Sequence, residues 1–476
     1  MTLRMKPVAI IGAGITGLTA AFYLKRAGVP VVVYEAGCRA GGVIQSLRKD
    51  GFLAEFGPNT ILETSPKIAQ LIRDAGLESR RLTTDPKAEA RYVVRYRRPI
   101  AMPSSQLGIF TSELLSAKAK LALLREPFVP RRRDGQEESI AEFVVRRLNR
   151  EFLDQMIDAL VAGIYAGDPH KLSVQHAFPR LAELEARYGS LIKGQIFGAR
   201  ERKKRGEISK DRAPKFSFDE GLQVLPDTLA AQFGDSLKLN ASVTKLTQTG
   251  GGWRVTTANG EAEFGAVIYC GTAHKLAELT IEGRAGSPLP ADGVCGVTRP
   301  ANKVDLSPLS EIRYPPVASV VLGFRREDIA HSCLGYGMLI PKIEGFKILG
   351  TIFSSALFPN RAPAGHHLLT SYVGGERYPE LASLSPEQLV ELVCEDLRVL
   401  LGVKGPPVFR HCALYPKAIP QYNVGYGKFK DMMNEIEAGT RGLFFAGPYR
   451  AGVSLGDSIV SGVNIAGRAG KFLGAA

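Results

Sequence analysis

Near the start of the chain an apolar run breaks into glycines and resumes as a helix: PVAIIGAGITGLTAAFYLKRAG, residues 7 to 28. No other stretch limits the fold as much. PVAII has the character of a short buried strand. TGLTAAFYLKRAG places Leu18, Ala21, Phe22 and Leu24 near one helical face and stops at Gly28, a good helix-ending residue. VPVVVYE supplies the next buried strand, completing a βαβ unit of about thirty residues. Gly12, Gly14 and Gly17 form G-x-G-x-x-G at the strand–helix junction. Gly12 permits a tight turn, Gly14 lets backbone approach a pyrophosphate, and Gly17 allows helix and strand to pack closely. Glu35 ends the second strand, at the distance where an acid accepts hydrogen bonds from an adenosine ribose. A purely structural glycine turn with a surface glutamate is the competing reading, and the strand–turn–helix context outweighs it. The unit predicts an α/β fold with a dinucleotide site and leaves NAD and FAD both open.

The following residues narrow that choice. EAGCRAGG sets Arg39 four positions after Glu35, then the pair Gly41 and Gly42. A cation there offsets pyrophosphate charge, and paired glycines let backbone lie against a flavin. At the other end of the chain, LFFAGP is a strand leading to Gly447, and VSLGDSIVSG opens a helix around Asp457. A helix N-terminus stabilises negative charge developing on an isoalloxazine, although Asp457 also suits a plain N-cap. One nucleotide domain assembled from both chain ends implies a long cofactor through the centre, which favours FAD.

The remaining chain bounds the function from outside. Its 476 residues suit two or three domains, with 45% hydrophobic and 23% charged residues, ordinary for a globular protein. No apolar run approaches the roughly 18 to 20 residues that span a bilayer. The first strand begins within a few residues of Met1, leaving no room for a signal or transit peptide, so a cytoplasmic protein is expected. Six scattered cysteines (Cys38, Cys270, Cys295, Cys333, Cys394 and Cys412) form no C-x-x-C pair, and no H-E-x-x-H is present, so no metal site is expected. The net charge of +14 gathers partly in RRRD at 131 to 134 and in GARERKKRGEISKDRAPK at 198 to 215. Solvated loops account for such runs. No zinc-finger spacing or RNP-type aromatic signature accompanies them, so nucleic acid is not an expected partner.

Residues 94 to 214 carry a mainly helical pattern. TSELLSAKAKLALL starts at a Thr-Ser cap, and SIAEFVVRRL carries a capping box of Ser139 with Glu142. From about residue 236 the period changes to two, in SLKLNASVTKLTQT, GWRVTTANG, GAVIYCG, PVASVVLGFRR, YGMLIP, KILGTIFSS and HLLTSYVGG. One helix interrupts these strands, capped by Ser385, with Pro386 in its first turn, Gln388 completing a capping box and Gly402 closing it.

The glycine turn, EAGCRAGG and the terminal FAG…GD…SG pattern resemble the flavin amine-oxidase-like superfamily. FGPNTILE (56 to 63), LVAGIYAGDPHKLSVQHAFPRLAELEARYGSLIKG (160 to 194), FSFDEGLQVLPDTLA (216 to 230) and LGTIFSSALFPNRAP (349 to 363) are similar to the oxygen-dependent protoporphyrinogen/coproporphyrinogen oxidase family. The likeness runs nearly end to end, and the 160 to 194 and 349 to 363 blocks are its specific part. It implies a mixed α/β protein of three parts. An FAD-binding Rossmann-like domain is built from residues 1–93, 215–300 and 412–476. A mostly antiparallel sheet, 301–411, walls the substrate. A helical part, 94–214, lies against a membrane.

The resemblance also implies the reaction: oxidation of protoporphyrinogen IX to protoporphyrin IX, by hydride transfer to flavin N5, with oxygen reoxidising the flavin and releasing hydrogen peroxide. Gly12, Gly14, Gly17, Glu35, Arg39, Gly41, Gly42, Val243, Gly447, Val453 and Asp457 match its FAD positions. Arg91 matches an arginine that pairs with a substrate propionate. Leu339, Leu349 and Phe358 match residues that sandwich the macrocycle, although strand-core packing explains the same residue types. Gly163 matches a glycine near the pocket, and Asn59 a residue beside the flavin and the reacting ring carbon. The basic clusters 131–133 and 200–205 are expected to dock the chain loosely on an anionic membrane surface, and a homodimer is a further expectation. Coproporphyrinogen III, with four propionates instead of two, is the alternative substrate, because Arg95, Arg97 and Arg98 stand near Arg91. A related amine oxidase or carotenoid desaturase is the other alternative.

Overall fold

The computed structural model describes residues 6–103, 105, 107–132, 135–205, 213–283 and 302–474. Cys295 and parts of both basic runs lie outside the described residues. A parallel sheet orders its five strands Leu237–Lys238, Val31–Tyr34, Val8–Ile11, Ala266–Tyr269 and Leu443–Phe445. Of its three inner strands, Val8–Ile11 and Ala266–Tyr269 are buried throughout and Val31–Tyr34 at all but one position. Continuous apolar runs behave this way when helices or a second layer cover both faces of a parallel sheet. The sheet takes strands from near both ends of the chain. The N-terminal helix Ile15–Arg26 and the C-terminal helix Leu455–Phe472 lie against one another. A Cβ on Gly462 would stand 2.6 Å from the Thr16 carbonyl oxygen, so the missing side chain sets how near the helices come.

A second, seven-stranded sheet runs Phe409–Tyr415, Val317–Arg325, His366–Gly374, Ile348–Ile352, Gly337–Leu339, Arg91–Arg95, Arg98–Ala101. All neighbours are antiparallel except Gly337–Leu339 with Arg91–Arg95. The helix Pro386–Leu401 packs Leu389, Val393, Leu397 and Leu400 into this sheet's core. Its Ser385–Gln388 capping box is formed, as is that of Ser139 with Glu142.

Two local expectations change. The segment taken as the start of the helical part, residues 94 to 101, lies in a hairpin of the second sheet. Tyr96 and Arg97 both have positive φ, 54° and 59°, as a two-residue primed turn requires. Non-glycine residues rarely adopt this conformation. Here the Glu344 carboxylate accepts both of their backbone N–H groups, at 3.1 and 2.8 Å, and supports the turn from outside. Next, the helix Ala117–Arg125 is capped by Ser116 rather than by the Thr111–Ser112 pair. Leu114 and Leu115 are buried ahead of it, which moves the helix start past them.

The helical part gathers around a buried ion-pair network. Arg147 and Glu126 are fully enclosed and pair at 2.6 Å, and Arg147 also meets Glu185 at 2.8 Å. Glu126 further accepts the N–H groups of Leu191 and Ile192 at the start of the helix Leu191–Arg205. Buried charge is tolerable only with such pairing. Among the described residues no helix is long and apolar enough to cross a membrane.

Candidate functional site

The glycine turn follows the Val8–Ile11 strand directly. Gly12 has φ +101°, and a Cβ there would stand 3.0 Å from Gly271 N. A Cβ on Gly17 would lie 2.0 Å from the Gly12 carbonyl oxygen, an overlap no relaxation removes. Gly14 differs, because nothing stands within 4 Å of its would-be Cβ. Space is open over this backbone, as an approaching phosphate needs. A second glycine turn borders the first. Gly41 donates its N–H to the Ala13 carbonyl at 2.8 Å, and a Cβ on Gly42 would come within 3.3 Å of Gly14 Cα.

Glu35 supports both turns. Its carboxylate accepts Ala13 N–H at 2.8 Å and Gly37 N–H at 2.8 Å. Lone pairs remain on both oxygens for a ribose hydroxyl. Arg39 donates to the carbonyls of Ala40, Ile44 and Gly42 at 3.0, 3.0 and 2.7 Å, so its guanidinium shapes the Gly41–Gly42 loop while its charge stays beside it. Val243 begins the strand Val243–Thr249 at a register shift, and Ala241 N–H just before it reaches the Glu35 carbonyl at 2.8 Å.

From the C-terminal side come Gly447 (φ +131°), the short helix Pro448–Ala451, Gly452 (φ +121°) and half-buried Val453. Ser454 caps the helix Leu455–Phe472, and its hydroxyl oxygen accepts Asp457 N–H at 3.0 Å. Asp457 is therefore not the N-cap. It stands in the first turn, where the helix dipole favours a carboxylate. The two glycine turns with their open face, Glu35 and a helix N-terminus suit a dinucleotide, so the chain's own residues fit FAD.

The substrate-side candidates lie on the second sheet and its neighbours. Gly163, in the helix Asp158–Tyr165, faces Leu339. A Cβ there would stand 2.5 Å from Leu339 Cδ2, so helix and sheet meet in a seam that the absent side chain keeps narrow. Leu349 is buried beside Ala162, Ala166 and Tyr372. Tyr372 joins this cluster to Asn59, whose Nδ2 donates to the Tyr372 hydroxyl at 3.0 Å and to the Gly57 carbonyl at 3.3 Å. Ser354 donates its hydroxyl to Asn59 Oδ1 at 3.2 Å. Both amide hydrogens of Asn59 are thus engaged, and one acceptor lone pair remains.

Phe358 belongs to a separate small cluster with Ala88, Leu357 and half-buried Tyr336. The Tyr336 hydroxyl meets Thr60 Oγ1 at 3.0 Å. Burial pushes the hydroxyls of Tyr336 and Tyr372 above the ordinary tyrosine range, so both stay protonated at neutral pH.

Arg91 is exposed at the start of its strand, in register with Gly337. Of the four arginines in this stretch it alone has neither an ion-pair nor a ring partner for its guanidinium among the described residues. Arg95 pairs with Glu151 at 3.1 Å and Arg98 with Glu113 at 2.6 Å. Arg97 stacks its guanidinium over Phe346, 4.6 Å from the ring centroid. The structure thus brings Gly163, Leu339 and Leu349 together, links Asn59 to them through Tyr372, and sets Phe358 apart with Tyr336. Tyr372, Ser354, Thr60 and Tyr336 escaped the sequence reading. Period-two alternation marks Tyr372 as one face of a strand, but nothing local shows which loop meets that face.

Known proteins resemble this chain over nearly its whole length. The profile of flavin containing amine oxidoreductases matches residues 15–469. Protoporphyrinogen oxidase 2, chloroplastic/mitochondrial, of Arabidopsis thaliana is 35% identical over 97% of this chain and 93% of its own length. Coproporphyrinogen III oxidase of Bacillus subtilis (strain 168) is 29% identical over 96% of each chain. Among solved structures, a protein of Exiguobacterium sp. 255-15 provisionally named a protoporphyrinogen oxidase superposes with a TM-score of 0.77 at 23% identity, covering 97% of this chain and 98% of that one.

Proposed function

The chain belongs to the family of flavin containing amine oxidoreductases, and from that premise we propose that it oxidises protoporphyrinogen IX to protoporphyrin IX. It is an FAD-dependent oxidoreductase. When bound, FAD would supply the redox chemistry, two electrons as hydride in each of the three turns that the six-electron oxidation needs. The protein's task is then to hold and orient a large apolar ring that carries propionates on one edge. One observation carries the reading: the apolar seam of Leu339 with Gly163 lies beside the strand of Arg91, which, unlike Arg95, Arg97 and Arg98, has no ion-pair or ring partner among the described residues. Arg91 pairs with a propionate and sets which edge of the ring faces out. Leu339, Leu349 and Phe358 supply the apolar surface. Asn59, fixed by Tyr372 and Ser354, orients the substrate edge through its remaining lone pair. Molecular oxygen would take up the electrons of each turn, with one hydrogen peroxide released per electron pair.

Coproporphyrinogen III is the second reading, supported by the Bacillus relative. The state of the arginines favours the first. With Arg95, Arg97 and Arg98 engaged within the protein, Arg91 alone of the four is left for a carboxylate among the described residues, which suits two propionates better than four. An amine oxidase is disfavoured by Tyr449, which is fully buried with its hydroxyl 3.4 Å from the Tyr269 carbonyl and so walls no amine cage. Anaerobic mixing of the yellow protein with each porphyrinogen tests the proposal. Flavin bleaching is expected with both and faster with protoporphyrinogen IX; bleaching by neither sinks it.

The helical part adds a docking proposal. Phe128 is 84% exposed, Leu124 58%, Ile196 55% and Phe197 54%, and Lys193 Nζ stands 5.9 Å from the centroid of the Phe128 ring. Exposed apolar side chains next to a cation suit an anionic lipid surface. Flotation with anionic vesicles at low salt is expected, and no binding at any salt removes the idea.

A further inference from the structure

The strand leading to Gly447 and the helix capped by Ser454 are joined by an irregular connection. Two glycines at positive φ, Gly447 and Gly452, flank the short helix Pro448–Ala451. Its own bonds, from the Arg450 and Ala451 N–H groups to the Gly447 carbonyl at 3.0 and 3.1 Å, leave the Pro448 carbonyl and the Gly452 N–H to be held otherwise. Two tyrosines from a different part of the chain do so. The Tyr422 hydroxyl donates to the Pro448 carbonyl and accepts the Gly452 N–H at 3.1 Å, bridging the two ends of the short helix. The Tyr426 hydroxyl donates to the Tyr449 carbonyl between them.

Both rings are buried, 2% and 1% exposed, and lie 4.6 Å apart. Lys430 stands over both, its Nζ 5.4 and 5.8 Å from their centroids. The neighbouring Gln421 reaches the other way. Its Nε2 donates to the Tyr165 carbonyl at 2.8 Å, at the end of the helix that carries Gly163.

We propose that Tyr422 is a positioning residue for the cofactor: its hydroxyl staples the Pro448–Ala451 turn and so fixes the Gly447–Val453 backbone against the flavin. The proposal rests on the reading of Gly447, Val453 and Asp457 as part of the FAD cradle. Tyr422 touches neither cofactor nor substrate in this account. It acts through Pro448 and Gly452. Without the hydroxyl the turn relaxes, and FAD is held by the N-terminal glycine turns alone.

The test uses the holoenzyme. Tyr422→Phe keeps the ring and removes one oxygen, leaving the Pro448 carbonyl and Gly452 N–H unpaired. FAD release after dilution, followed by recovery of free flavin fluorescence, is expected to accelerate about tenfold. The visible circular dichroism of the bound flavin should change shape, and excess FAD should restore the thermal midpoint. Tyr426→Phe removes one bond instead of two and should show the same changes at smaller amplitude; it serves as the test if Tyr422→Phe does not fold. Unchanged release and an unchanged flavin spectrum overturn the proposal. So does a lower midpoint that excess FAD does not restore, because that marks Tyr422 as structural only. Val453→Asp separates the underlying reading: if it too leaves FAD release unchanged, the C-terminal cradle is wrong, whereas faster release in that variant alone removes only Tyr422.

Discussion

Around Gly12, Gly14 and Gly17 the shape of the molecule is set by side chains that are missing. Along Leu339, Leu349 and Asn59 it is set by which side chains meet. The first arrangement is local. Backbone folds on itself within a few residues, and a single added carbon at Gly17 meets the Gly12 carbonyl oxygen at 2.0 Å. The second is assembled from distant parts, with Asn59 and Tyr372 separated by 313 positions yet joined at 3.0 Å. The difference teaches where each half is vulnerable. A steric turn fails outright under one substitution, while a wall of flexible side chains yields gradually.

The largest expected effect falls on the turn. Gly17→Val should abolish flavin retention, read as loss of the visible absorption band in the purified protein. A yellow variant would break the contrast, because it would mean that the turn yields as the wall does.

Arg91→Ala comes next. Loss of a charge-assisted contact is worth about 1.5–3 kcal/mol, so kcat/KM for the porphyrinogen should fall roughly 10- to 150-fold. Flavin content should stay as in the parent, which is how the two halves are told apart. Unchanged turnover takes Arg91 out of the site.

A smaller change is expected at the seam. Gly163→Ala drives a methyl to 2.5 Å from Leu339 Cδ2, the end of a flexible side chain that can turn aside. Mild overpacking of about 1 kcal/mol corresponds to roughly a fivefold rise in KM. Adding Leu339→Ala should reverse much of it. If the double variant is worse than the single one, the seam does not set substrate fit.

Acid gives the smallest effect. Burial works against ionisation of Glu126 and Glu185, but hydrogen bonds and arginine partners outweigh it and hold both carboxyls below their ordinary value of 4.5. Groups depressed on folding contribute stability that is present above pH 4.5 and is lost as pH falls through the lower folded values. The thermal midpoint should hold steady down to about pH 5 and drop by about 2 °C or more below it. Glu126→Gln should flatten that drop, and an identical acid profile in this variant would move the cause elsewhere.

Much of the glycine-turn half was legible in the sequence. G-x-G-x-x-G, Glu35 and the paired glycines report backbone constraints within about thirty residues, and such constraints leave their mark in spacing. The capping boxes at Ser139 and Ser385 were legible for the same reason. Local misreadings arose where tertiary contacts overrode a pattern. The hairpin at Tyr96 and Arg97 is held by Glu344, nearly 250 residues away, and buried Leu114 and Leu115 displace a helix start.

By itself, then, the sequence determined that a parallel sheet with a tight glycine turn would form, because steric exclusion by glycine acts over a few bonds. Only the tertiary structure decided which of four neighbouring arginines is left unpaired, that Asn59 spends its amide on Tyr372, and that Tyr422 closes the Pro448–Ala451 turn. Those outcomes depend on distances between residues far apart in the chain, and one-dimensional order carries no record of them until the core has packed.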